Sequence, residues 1–256
     1  MLKPAATTFR CVVNPAFSFL ADFVEQVTRC GLPADATEVY QARNRIVACE
    51  RSGVLVNIKA FRLPNAINRY VYSALRKSKA ERSYLNAMRL NALGFSTPAP
   101  IAFSEVRTPG RLHQSYYFSV QIPGSELRHM DSRADAPAVL FALGREIALL
   151  HQARVWMKDF SPGNVLETHT PDGSYTFSHV DLNRIQFGCR SRSSLMRMFG
   201  AMVYTPRHLR MISDGYADAL GLDPDAAFAD ASAAMRGYEY RVRRKNFLKN
   251  LFRKSR

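Results

Sequence analysis

The dipeptide Pro123-Gly124 divides this 256-residue chain into two halves with different hydrophobic patterns. From Glu38 to Phe61 the residues alternate and are rich in β-branched side chains, with Arg51-Ser52-Gly53 as a turn signal; Val54 to Phe61 is the last strand predicted within this stretch. Ile101 to Val106 and His113 to Ile122 read as a hairpin around Thr108-Pro109-Gly110. Asn14-Pro15, an N-cap followed by proline at the first helical position, opens a short helix that ends near Gly31. A longer helix spans roughly Arg69 to Leu93 and stops at Gly94, with Pro98 and Pro100 beyond it. After Pro123-Gly124, Leu140, Leu143, Ile147 and Leu150 mark an amphipathic helix ending at His151. One hairpin follows, Asn164 to Glu167 and Tyr175 to Val180, around the turn Pro171-Asp172-Gly173-Ser174. Beyond Asp181 the pattern is helical to the end. Strands first and helices second predict an α+β fold of two lobes, an N-lobe of about 1–122 and a C-lobe of about 125–240.

Size and composition agree with that plan. A chain of this length with 47% hydrophobic residues builds one large domain or two lobes, not several independent domains. No apolar run reaches the ~18 residues of a membrane span. Asn14, Pro15 and Asp22 interrupt the apolar run nearest the N-terminus, so no signal peptide is expected. Cys11, Cys30, Cys49 and Cys189 are widely spaced and form no Cys-x-x-Cys pair. They read as reduced cytosolic thiols packed as small hydrophobes, and not as a zinc site. The net charge of +15 is concentrated. Residues 59–89 carry eight basic side chains and one acid, and residues 236–256 carry nine and one, so the remainder is neutral overall. Two such patches suggest polyanionic partners: nucleic acid, anionic lipid or a phosphorylated glycan.

Chemistry concentrates at five residues. Lys59 lies in an apolar strand, where an ammonium is costly without partners. In the following helix Ala74, Ser78, Glu81, Leu85, Met88 and Ala92 recur at helical spacing, so Glu81 is expected on the stripe facing the sheet, paired with Lys59. Asp159 and Asn164 stand five apart in the loop Lys158-Asp159-Phe160-Ser161-Pro162-Gly163-Asn164, after a helix and before an apolar strand. Asp181 ends the second strand of the hairpin, 22 residues after Asp159. Phosphoryl transfer needs a cation on the nucleotide phosphates, Mg²⁺ ligands and a carboxylate for the attacking hydroxyl. Lys59, paired with Glu81, suits the ATP phosphates, Asp159 the hydroxyl, and Asn164 with Asp181 the Mg²⁺. The order of strand lysine, inward glutamate, helix, D-x4-N, hairpin and aspartate predicts a protein-kinase-like fold.

The run Val56 to Phe61, then Leu63-Pro64-Asn65 and the string Arg76 to Tyr84 (RKSKAERSY), resembles the lipopolysaccharide core kinases, most nearly their Bacteroidetes-type branch. The resemblance covers about residues 14–190. It implies an ATP- and Mg²⁺-dependent kinase phosphorylating Kdo or heptose of the inner core, on the cytoplasmic face of the bacterial inner membrane. It also implies Lys59 and Glu81 on the ATP phosphates, Asp159 as the catalytic residue, and Asn164 and Asp181 on the metal. Three features depart from the kinase pattern. Met157-Lys158 stands in place of His-Arg, and Asp181-Leu182-Asn183 in place of Asp-Phe-Gly. Between Glu38 and Cys49 there is no glycine-rich loop; Arg43, Asn44 and Arg45 occupy the expected turn. A pseudokinase stays open on these departures, although all four catalytic positions are retained.

Two other functions compete. One is a small-molecule kinase of the aminoglycoside or choline type, which the string Asp159 to Asn164 also suits. The other is a nucleic-acid-binding protein using the basic patches, although no RNA-binding motif with interleaved aromatics is present. His113, His151 and His179 read as structural, and Trp156 as packing behind the loop of Asp159. Residues 241–256 form a separate expectation. Phe247, Leu248, Leu251 and Phe252 would make one apolar stripe flanked by Arg244, Lys245, Lys249, Arg253 and Lys254, the pattern of a helix lying on an anionic membrane surface.

Overall fold

The computed structural model describes residues 6–42, 44–62, 77–109, 111–202 and 205–254. The chain forms two compact units, Met1–Pro123 and Gly124–Arg256.

The first unit is built on a six-stranded antiparallel sheet. Its strands are β1 (Thr8–Val13), β2 (Thr37–Gln41), β3 (Arg45–Arg51), β4 (Val54–Ala60), β5 (Pro100–Thr108) and β6 (Arg111–Val120), in the order β1-β5-β6-β4-β3-β2. Helix α1 (Ala21–Cys30) follows a 3-10 turn at Pro15–Leu20, where Asn14 accepts a hydrogen bond from the Ala16 amide as the sequence predicts. Leu20, Val24 and Val27 pack against Val56, Ile58 and Phe118 to make the core on that face. Period-two alternation puts Asn57 and Lys59 of β4 on the opposite face. There Lys59 pairs with Tyr117, Tyr117 pairs with Phe103, and the Phe103 ring lies 5.5 Å from Tyr84 of helix α2 (Lys79–Ala92).

Of the helix expected from Arg69 to Leu93, the described part begins at Lys79. Residues 69–76 lie outside those described, as do Arg43, Leu63 to Asn65 and Gly110. Ser78 is not helical; it has φ −60°, ψ 169° and caps α2 by accepting from the Glu81 amide at 3.0 Å. The buried face is therefore Ala80, Tyr84, Ala87 and Leu90, with Glu81 and Ser83 beside it, while Leu85, Met88 and Ala92 are not on it. The phase shifts because a serine at the N-cap was counted as one turn of helix. Strand β1, at the edge of the sheet and largely exposed, has no period-two signal strong enough to announce it.

The second unit contains β7 (Ser125–Glu126), α3 (Ala136–Gln152), β8 (Val155–Met157), β9 (Val165–His169), β10 (Tyr175–His179), β11 (Ile185–Phe187), α4 (Arg192–Gly200), α5 (Pro206–Leu220) and α6 (Pro224–Lys254). Helices α3 and α5 cross closely: a Cβ on Gly144 would overlap the Ile212 carbonyl, and one on Gly215 would overlap that of Phe141. The chain after Asp181 is not helical throughout, since β11 pairs antiparallel with β8 before α4 begins. A three-residue strand is too short to leave a periodic trace. Among the cysteines only Cys49 is buried; Cys11, Cys30 and Cys189 are exposed, and all four are free thiols. Among the described residues no helix is long and apolar enough to cross a membrane.

Candidate active site

Two short antiparallel pairings in the second unit bring distant residues to one pocket. In the first, Val165 opposes His179, so the β9–β10 hairpin closes at Asn164 and Val180, and the Val180 amide donates to the Asn164 carbonyl at 2.9 Å. Asp181 is the next residue. Buried His179 anchors this end of the hairpin to α3 through an Nε2 contact of 2.8 Å with Glu146. At the other end, Arg133 donates to buried Glu167 at 2.6 Å and to Asp135, which holds the Asp135 carboxyl down at about 2. In the second pairing Met157 opposes Ile185, which brings Asp159, two residues beyond Met157, to Arg184, just before Ile185.

The resulting pocket is lined by Met157, Lys158, Asp159, Asn164, Asp181 and Arg184, among others. The structure thus gathers Asp159, Asn164 and Asp181 on one wall system, although they span 22 residues of sequence. The Asn164 side-chain amide donates to the Asp159 carbonyl at 2.8 Å. With its nitrogen so held, Asn164 Oδ1 is the atom left to act as a ligand. Asp181 has the left-handed backbone φ 57°, ψ 50°, a conformation that aspartate tolerates better than most residues. Its Oδ1 accepts from Asn183 Nδ2 at 2.7 Å, so Asn183 steadies the carboxylate where a glycine would give backbone freedom. One carboxylate and one amide oxygen suit Mg²⁺, which keeps waters and completes its shell with substrate phosphates. Among the described residues no group of three or more His, Cys, Asp or Glu side chains could hold a metal ion.

Arg184 was not singled out by the sequence. Its Nη1 donates to both Asp159 oxygens, at 2.8 and 2.9 Å. The only trace in the sequence is a basic residue three positions after Asp181; its pairing depends on the β8–β11 register, which spacing alone does not reveal.

Lys59 and Glu81 belong to the first unit. Glu81 is buried, as expected, but its carboxylate is met by Arg10 of β1 at 3.2 Å. Arg10 also lies 3.8 Å from Glu105, its partner in the β1–β5 register. Burial raises the Glu105 carboxyl, but the hydrogen bond from Arg107 and the nearby guanidinium charges outweigh it, so it titrates below its ordinary value. Arg10 thus supplies a countercharge for Glu81 that the sequence does not announce, because the edge strand runs past the N-terminal turn of α2. Lys59 stands on that same side of the sheet, its Nζ 5.3 Å from the Phe61 ring centre. In the turn expected to meet phosphates, Arg45 is a strand residue bonded to Glu38 at 3.1 Å, and Asn44 accepts from the Arg62 amide at 3.3 Å.

The three histidines have structural settings. His113 bonds Thr108 at 2.8 Å, His179 bonds Glu146, and His151 is buried against Tyr216 and Met198. Trp156 is the central residue of β8, paired with Gln186 of β11.

No protein-family model matches this chain, and no curated protein matches it in sequence. Among solved structures it is similar to WaaP in complex with acyl carrier protein, with 18% identity and a TM-score of 0.62 over 92% of this chain and 98% of that one. It is also similar to a microcompartment-associated aminopropanol kinase, with 12% identity and a TM-score of 0.56 over 86% of each chain. These likenesses concern the fold. The chain has a protein-kinase-like fold, α+β, with an antiparallel N-terminal sheet and a mostly helical C-terminal part.

Proposed function

We propose that this protein is an ATP- and Mg²⁺-dependent phosphotransferase whose acceptor is an alcohol on a sugar, Kdo or heptose, of the lipopolysaccharide inner core. The observation that carries the reading is the convergence of Asp159, Asn164 and Asp181 on one pocket. In this reading Asp159 receives and orients the acceptor hydroxyl. The hydroxyl oxygen forms a bond to the γ-phosphorus as the bond from that phosphorus to the β–γ bridging oxygen breaks. ADP leaves with the electron pair, and the hydroxyl proton passes to Asp159 and on to solvent. Asn164 Oδ1 and the Asp181 carboxylate would hold a Mg²⁺, which would supply charge neutralisation on the phosphates. Lys59, positioned with Glu81 on the α2 side of the sheet, takes the nucleotide phosphates.

The sugar acceptor rests on the resemblance of Val56–Phe61 and Arg76–Tyr84 to the lipopolysaccharide core kinases. The aminopropanol kinase neighbour favours a second reading, a small amino alcohol as acceptor. Against it, Lys158 and Arg184 line the pocket and would repel an ammonium group. A lipid-linked acceptor also gives the basic end of α6 a purpose, holding the enzyme on the cytoplasmic face of the inner membrane.

The test is nucleotide binding. ATP should raise the melting temperature of the wild type only when Mg²⁺ is present. Asp181→Asn should weaken Mg-ATP on the order of tenfold, about 1.4 kcal/mol, because an amide is a poorer ligand than a carboxylate for this hard cation. Equal ATP shifts with and without Mg²⁺, or none under either condition, would remove the metal-dependent kinase reading.

A further inference from the structure

The contact between Arg184 and Asp159 is made in an unusual way for a guanidinium beside a carboxylate. A single nitrogen, Nη1, donates to both oxygens. The bidentate edge of the guanidinium, formed by Nε and Nη2, is not spent on Asp159. No other hydrogen bond or ion pair of Arg184 exists among the described residues, and its side chain is 44% exposed. The same pocket is lined by Lys158, whose exposed ammonium makes no ion pair among the described residues. A planar fork with its bidentate edge open, fixed through its other end, matches a carboxylate or a phosphate monoester. Because Nη1 touches the carboxylate assigned to the acceptor hydroxyl, an anion on the open edge would sit within one small sugar's reach of that hydroxyl.

We infer that Arg184, assisted by Lys158, is an anion-recognition element that selects an acceptor carrying a carboxylate or phosphate near the hydroxyl to be phosphorylated. The inference rests on the phosphotransferase reading of the same pocket and narrows it. Of the two inner-core sugars it selects the sugar acid, Kdo, over an unsubstituted heptose. A neutral acceptor would leave the open edge to water and gain nothing from it. Arg184 is thus a specificity-determining residue, and it also orients Asp159, so its loss is expected to lower turnover on every acceptor. The diagnostic quantity is therefore a ratio and not a rate.

The experiment compares phosphoryl transfer from ATP to a Kdo glycoside and to its neutral carboxamide, by wild type, Arg184→Ala and Arg184→Lys. Wild type should prefer the acid by about tenfold to a hundredfold in kcat/KM, the range of a hydrogen bond to a charged group. Arg184→Ala should bring the ratio close to one. Arg184→Lys should keep part of the preference, since the charge stays and the fork is lost. A wild-type ratio near one, or a preference that survives intact in Arg184→Ala, overturns the inference and leaves the kinase reading standing. Transfer to neither compound, with Mg²⁺-dependent ATP binding intact, overturns the sugar-acid acceptor. Absence of Mg²⁺-dependent ATP binding overturns the kinase reading, and the inference falls with it.

Discussion

His151, in the last turn of α3, has its Nδ1 3.1 Å from the Tyr216 hydroxyl of α5 and its Nε2 3.3 Å from Met198 Sδ of α4. Burial pushes its imidazole down to about 4, so it stays neutral in the fold. The sign follows directly. Between that value and the ordinary 6.5 the unfolded chain binds a proton that the folded chain refuses, so stability is lost as pH falls through this window. The loss amounts to about 3 kcal/mol at most. Urea unfolding across the window should show this slope in the wild type and a flatter one in His151→Leu. An equal slope in both would assign the acid sensitivity to other groups. At this scale the sequence singles out Asp159, Asn164 and Asp181 because D-x4-N sits in one polar loop and Asp181 closes a hairpin strand, features marked by turn residues and strand patterning. It concealed Arg10 and Arg184, whose partners lie 71 and 25 residues away and meet them only through sheet register or helix packing.

Among the elements, α2 and α6 each carry a testable feature at one end. In α2 the Ser78 hydroxyl takes the Glu81 amide, as in a capping box, but the Glu81 carboxylate turns to Arg10. Removing the cap in Ser78→Ala should cost about 1 kcal/mol of stability, read as a lower urea midpoint at unchanged slope. No change would mean that the cap is redundant with the packing of Tyr84. The periodic stripe drawn through Ser78 came out of phase because propensity alone does not separate an N-cap serine from a helical one. Helix α6 is continuous for 31 residues from Pro224 to Lys254, so the basic segment is its final part and not an independent tail. Arg241, Arg243, Arg244 and Lys245 are exposed there, and Tyr240 and Phe247, two turns apart on one side, are 66% and 65% exposed. Each basic residue near an anionic surface contributes about 1 kcal/mol. Deleting 241–256 should therefore abolish salt-sensitive pelleting with anionic liposomes and largely spare activity on soluble sugar fragments. Equal pelleting of both forms, or of neither, would exclude this segment as the anchor.

On the scale of the whole molecule, the order of elements carried most of the fold. Long strands, the β9–β10 turn and the α3 stripe are written in periodicity and turn residues. Edge strand β1 and three-residue β11 are not, because their pairing is decided by neighbours remote in sequence. Phosphoryl transfer in the pocket of the second unit is tested most directly by incubating wild type and Asp159→Ala with γ-labelled ATP, Mg²⁺ and deacylated lipopolysaccharide core, followed by mass spectrometry of the sugars. The expected result is a phosphate on an inner-core sugar with wild type, and a rate lower by about 10²–10⁴-fold with Asp159→Ala, the range for a lost acid–base group. No labelled sugar with wild type, or equal labelling by both proteins, would contradict it.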